Sequence, residues 1–351
     1  MPMKPTSRMR SRRLGLTALA VLALLLAVFF SLAVGSRAFA PSEVAGALFR
    51  GGSGDAAQVV RFLRLPRTLI GLMVGAALAL AGTVMQGLTR NPIADPGILG
   101  VSQGASAAVV AAIAFAGVHT PTGYVWFAFA GAGLASVVVH GIATRGRWGT
   151  PLFERSRELG GGATPVRLAL SGAAINALLV SVSMAILTTK AAALDEFRFW
   201  QVGSLTGRDI GVAAQIWPFL LVGAVLVLSV ARGLDALALG EDVARGLGQN
   251  VATVRIVGGL GATVLTGAGV AAAGPIAFVG LAVPHLARAA VGGGHRWTLP
   301  MAALLGPVIV LVADTVGRIV FPPSEVPAGV LTALIGVPFL VTLVRRRAVP
   351  A

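Results

Sequence analysis

The chain has 351 residues, of which 56% are hydrophobic and only 12% charged, with a formal net charge of +15 and no cysteine. Soluble proteins carry about 25% charged residues, so this composition excludes a solvated globular domain, and the missing cysteines exclude disulfides, thiolate metal sites and cysteine nucleophiles. The arginines sit between apolar blocks rather than on one basic face, which argues against nucleic acid and for membrane topology signals.

Lys4, Arg8, Arg10, Arg12 and Arg13 form a basic tail over residues 1–13, ahead of an apolar run from Leu14 to Val34. Ala38, Phe39 and Ala40 resemble a signal-peptidase site, but the run exceeds the usual 7–15-residue apolar core, and Pro41 would follow the cut. A retained first helix is therefore expected. Nine further apolar blocks follow, near 68–89, 97–118, 122–143, 167–189, 210–231, 254–272, 275–292, 298–320 and 327–344. At about 1.5 Å per residue each crosses most of a 30 Å hydrocarbon core. The expected fold is all-α and integral to the membrane: about ten spans in one domain over 14–345, with a short tail over 346–351.

With the basic tail inside, both termini are cytoplasmic, and 19 of the 28 Lys and Arg residues fall on inner segments. That is the sign of the positive-inside bias. Arg61, Arg64 and Arg67 violate it by clustering outside, just ahead of the second span. Spans 2–5 start outside and spans 7–10 inside, and each set opens with a Gly/Ala-rich helix and a proline-broken connection, the pattern of an inverted repeat.

Gly75 and Gly82 lie seven apart, near one helix face, and permit close packing. Pro92 and Pro96 stop the helix, and Asn91 and Asp95 suit a polar turn. Between spans 6 and 7, Gly240 to Gly248 reads as a short helix. Glu241 and Asp242 occupy its first turn, and Val243, Ala244 and Leu247 make an apolar face. Such a face fits either the membrane surface or a protein partner. Pro284 and His285 sit near the inner end of span 8, and four unclustered histidines offer no metal site. Asp314 and Arg318 stand four apart near the outer end of span 9, where a salt bridge and a functional ionisable group are both open. Nucleotide hydrolysis needs G-x-x-x-x-G-K-[ST]. The only lysines, Lys4 and Lys190, follow no glycine, so the chain holds no such loop.

The stretch from Arg64 to Ser106, RLPRTLIGLMVGAALALAGTVMQGLTRNPIADPGILGVSQGAS, resembles the signature of the FecCD-type permeases of ABC importers. Further blocks agree in order: LSGAAIN at 170–176, FWQVGS at 199–204, LGEDVARGLG at 239–248, AGPIAFVGLAVPHLAR at 273–288, ADTVGR at 313–318, EVPAG at 325–329 and GVPF at 336–339. The resemblance spans about 61–345. It implies a permease subunit, not an enzyme, in the cytoplasmic (inner) membrane of a bacterium.

The resemblance also implies a set of partners and site residues. The partners are a second permease, identical or paralogous, an extracytoplasmic substrate-binding protein, and two ABC ATPase subunits that carry the ATP and magnesium. No covalent cofactor is expected. The implied cargo is an iron–siderophore complex, with haem and cobalamin in the same class. In the family, arginines matching Arg64, Arg67 and Arg318 face outward to meet glutamates of the binding protein. The stretch containing Gly240, Glu241, Val243, Ala244, Leu247 and Gly248 matches the helix that couples to the ATPase. The inner constriction falls near Thr164 and Pro165. Gly75, Gly82, Gln86, Asn91, Pro92 and Asn176 are candidates for helix packing or for lining the pathway. A secondary transporter driven by an ion gradient is the competing class. It would usually place carboxylates within its spans, and here only Asp314 lies in one.

Overall fold

The computed structural model describes residues 7–50, 54–145, 165–322 and 324–348, which are helical with no strand among them. In chain order the helices are α1 (Ser7–Ala33), α2 (Pro41–Phe49), α3 (Asp55–Thr89), α4 (Val101–Ala116), α5 (Pro121–Arg145), α6 (Pro165–Thr189) and α7 (Ala191–Gln201). They continue with α8 (Ile210–Ser229), α9 (Ala231–Leu237), α10 (Glu241–Gly246), α11 (Val251–Ala273), α12 (Val279–Val291), α13 (His295–Val320) and α14 (Ala328–Ala348). Among the described residues, seven helices are long and apolar enough to cross a membrane: α1, α3, α5, α6, α8, α11 and α13. The other three expected spans are the shorter apolar helices α4, α12 and α14.

The second span differs from expectation at its N-terminal end. Its helix begins at Asp55, so Arg61, Arg64 and Arg67 ride on a helix instead of preceding one. Residues Val59–Arg64 form a π-helical segment and the α-helical register resumes at Leu65. Pro66 then falls at the start of the new register, where its missing N–H is no loss. That register change lets the helix run through a proline that reads as a stop.

α3 and α11 are buried along most of their length, while α1, α5, α6 and α8 bury less than a third of theirs. Lipid tails are as apolar as leucine, so what holds the core helices together is close packing. Gly75 lies against Gly306 and Pro307 of α13, and Gly82 against Gly280 of α12, so closely that a Cβ at either would strike backbone. The two glycines share a face but serve two different neighbours.

α4 and α12 are short because each starts part-way along the core helix α3. After α3 ends at Thr89, Pro96 returns to lie beside Gly280, which also packs on the Leu78 carbonyl. Leu78 is about 16 Å back along the helix from Thr89. The residues ahead of the two short helices, Gly100 (φ 76°) and Phe278 (φ 67°), both take the left-handed conformation. For Phe278 that is strained by about 1–3 kcal/mol, and its ring fills the space left by the absent side chain of Gly336. The order long, short, long thus recurs in α3–α5 and α11–α13, as an internal repeat requires.

Candidate functional site

At the end of the core where α13 finishes, Asp314 of α13 is fully buried and meets two arginines. Arg67 donates to it from Nε at 2.8 and 3.0 Å and from Nη2 at 2.8 Å, the two-pronged geometry that suits a guanidinium. Arg318, one turn on, is 3.3 Å away. Arg67 also reaches Glu325 at 2.7 Å, and Glu325 accepts from Thr206 at 3.0 Å. Arg318 donates to the Ser31 carbonyl at 2.9 Å and to its hydroxyl at 3.1 Å, which ties in α1. Arg64 donates to the carbonyls of Leu32 and Arg37 and stacks over Phe39. Burial acts to raise the Glu325 carboxyl, but the Arg67 guanidinium wins and holds it below the usual carboxylate range.

Arg64, Arg67 and Arg318, the residues that the resemblance matches to binding-protein contacts, come together at this end of the core. Their exposures are 6%, 8% and 3%, and each guanidinium is committed to partners within the chain. The violation of the positive-inside bias needs no external carboxylate at Arg67 and Arg318, since Asp314 and Glu325 supply it. Glu325, Ser31 and Thr206 were not singled out from the sequence. Glu325 lies 258 residues from Arg67, and no local pattern pairs them. A carboxylate flanked by Pro322 and Pro327 in a connection between spans was the available signal.

Deeper in, the two breaks ahead of α4 and α12 enclose a cavity of about 370 Å³ lined by Asp95, Gly97, Gln103, Asn176, Thr266 and Phe278, among others. Asn176 donates to the Gly97 carbonyl at 3.2 Å and so ties α6 to the first break. Asn91 Oδ1 accepts from the Ile93 N–H at 3.1 Å and Asp95 Oδ1 from Gly97 at 2.7 Å; Pro92 lies within this turn. Gln86 is buried and spans α3 to α12: its amide donates to Leu281 at 3.2 Å, and its oxygen accepts from Arg288. His285 Nδ1 lies 2.9 Å from the Leu281 carbonyl. Thr164 lies outside the described residues, and Pro165 begins α6.

Between α8 and α11, α9 and α10 make a folded connection. Gly240 (φ 109°) and Gly248 (φ 77°) bracket α10 in conformations that favour glycine. Val243 and Leu247 are 49% and 61% exposed, whereas Ala244 is fully buried. Ala244 therefore does not belong to the exposed face. Leu239, just ahead of the helix, is 64% exposed as well, so this short connection leaves three large apolar side chains bare. Glu241 pairs with Arg255 of α11 and lies 3.7 Å from Arg245. Asp242 is fully exposed.

Comparison with known proteins accounts for this arrangement. Residues 23–346 match the FecCD transport family. The ferric enterobactin transport system permease protein FepD of Escherichia coli is 42% identical, over 93% of this chain and 94% of its own. The probable siderophore transport system permease protein YfiZ of Bacillus subtilis is 36% identical over 83% of each chain. The solved inward-facing structure of a metal-chelate type ABC transporter superposes with a TM-score of 0.76 at 29% identity, over 95% of this chain and 98% of that one. The chain belongs to the FecCD transport family: it is a transport permease subunit of the membrane, whose ATPase is a separate polypeptide.

Proposed function

We propose that this permease carries an iron–siderophore complex inward across the cytoplasmic membrane by ATP-driven alternating access. It works with a second permease subunit, two ABC ATPase subunits and an outer binding protein, and both its termini are cytoplasmic. The observation that carries this reading is the family match along nearly the whole chain, and two similar proteins are named for siderophore transport. The strip Leu239–Val243–Leu247 offers the ATPase a docking surface. Arg64, Arg67 and Arg318 lie beneath the outer surface, so their part in receiving the binding protein is to hold that surface together. An ion-gradient drive finds no support: Asp314, the carboxylate within a span, is fully buried and held by Arg67 and Arg318.

The test is uptake into proteoliposomes holding the permease with its ATPase, with binding protein and labelled cargo outside and ATP inside. Ferric siderophore should accumulate only with ATP, and unlabelled haem or cobalamin at equal concentration should not compete. Uptake without ATP, or displacement by cobalamin, would overturn the mechanism or the cargo respectively.

A further inference from the structure

If the cytoplasmic strip receives the stroke of an ATPase, something must pass that stroke to the spans. α9 and α10 pack on α3, α8, α11 and α13, and one junction there joins three elements at a single side chain. Asp235 of α9 reaches the first residue of α13. Its Oδ1 accepts from the His295 backbone N–H at 2.7 Å and lies 2.7 Å from His295 Nδ1. α13 has no cap of its own, because Gly294 precedes it and offers no side chain. An aspartate from another element therefore caps this 26-residue helix and meets the positive end of its dipole.

The other side of the imidazole faces α3. A Cβ added at Gly87 would lie 2.8 Å from His295 Nε2, and the fully buried Leu234 of α9 flanks the same glycine. His295 is thus wedged, 7% exposed, between the last turn of α3, the connection that carries the exposed strip, and the start of α13. Burial acts to raise the Asp235 carboxyl, but the bonds from His295 hold it below the usual carboxylate range, so it is an anion at neutral pH. The two spans met here are also fastened to each other further out, at the Gly75–Gly306 crossing and at the Arg67–Asp314 pair. A push on α9 therefore reaches a block already tied along its length.

We propose that Asp235 and His295 are positioning residues of the transport cycle, a carboxylate–imidazole joint that passes displacement of the cytoplasmic connection to the α3–α13 block. The proposal rests on the ABC permease reading. It separates from a stabilising role by what is lost: a cap that only stabilises costs folded protein, whereas a transmission joint costs transport per ATP hydrolysed.

The test uses the full reconstituted complex and measures ferric siderophore taken up per ATP hydrolysed. Asp235→Ala is expected to lower that ratio at least tenfold, with hydrolysis in the absence of binding protein within twofold of wild type. Asp235→Asn keeps an acceptor oxygen for the His295 N–H and should recover most of the ratio. His295→Ala, measured in parallel, should match Asp235→Ala and carries the test if that variant yields no complex. The double variant should be no worse than either single one. Unchanged uptake per ATP in the assembled alanine variants overturns the proposal. So does a loss of uptake matched by an equal loss of hydrolysis, which marks weakened docking. A wild-type complex without ATP-driven uptake would instead refute the permease reading itself.

Discussion

Asp314 holds two guanidinium groups at once, and it is sealed from water. Removing one member of a buried ion cluster leaves uncompensated charge and destabilises by about 3–5 kcal/mol. Asp314→Ala should therefore lower the unfolding free energy of the detergent-purified protein by about that much, measured by denaturant titration. A loss under about 1 kcal/mol would mean the arginines find other partners. For the same reason Arg67→Glu is a poor probe of docking, since it would set a third carboxylate against Asp314 and Glu325. Glu325 predicts a pH dependence. Its folded carboxyl titrates below its ordinary value of 4.5, so its contribution is fully present above that pH and is lost as pH falls through the lower folded value. The fastening of the Glu325 connection to α3 should weaken only in that acid range. Glu325→Gln should flatten the acid limb of stability against pH; an unaltered limb would assign it to other groups. The sequence showed these arginines as topology violations and showed Asp314–Arg318 as a helical pair. It could not show Arg67–Asp314, because 247 residues separate them and no periodicity carries across that distance.

At the scale of elements, apolar block length made ten spans legible, because a hydrocarbon core admits few alternatives. What was not legible is how two of them are shortened: prolines and glycines marked where the chain breaks, but not that the chain at Pro96 and Phe278 returns to pack part-way along α3. The apolar face of α10 was legible only in part. Val243 and Leu247 are exposed, but Ala244, also apolar, turns inward, and composition does not separate the two sides of a six-residue helix. Leu247→Asp should leave the permease folded but abolish stimulation of the ATPase by binding protein, read as hydrolysis in the reconstituted complex; normal stimulation would remove the strip from the docking surface. The crossings are testable in the same way. Gly82→Ala sets a methyl into the Gly280 backbone, and overpacking of that kind destabilises by about 1–3 kcal/mol or more. Gly133→Ala, with open space at its Cβ, should be neutral or slightly stabilising. Equal thermal stability of the two variants would contradict the tight crossing.

For the whole molecule the remaining question is which face is which. α7 and α10 stand on either side of one span, α8, so whatever side Asp195 occupies, Asp242 must lie on the other. The absolute assignment comes from charge: 19 of 28 basic residues fall inside if the tail at Lys4–Arg13 is cytoplasmic. The paired outer arginines strengthen the argument, since Arg67 and Arg318 are neutralised by Asp314 and Glu325 and should weigh little in the bias. The chain has no cysteine, so a single introduced thiol can be read without background. The side chains of Asp195 and Asp242 are 70% and 100% exposed, and neither contributes to the buried clusters. In intact cells an impermeant maleimide should label Asp195→Cys and spare Asp242→Cys, with both labelled after the membrane is opened. The reverse pattern would invert the topology and put the Leu239–Val243–Leu247 strip beyond reach of any cytoplasmic ATPase. Labelling of both in intact cells would mean that α8 does not cross.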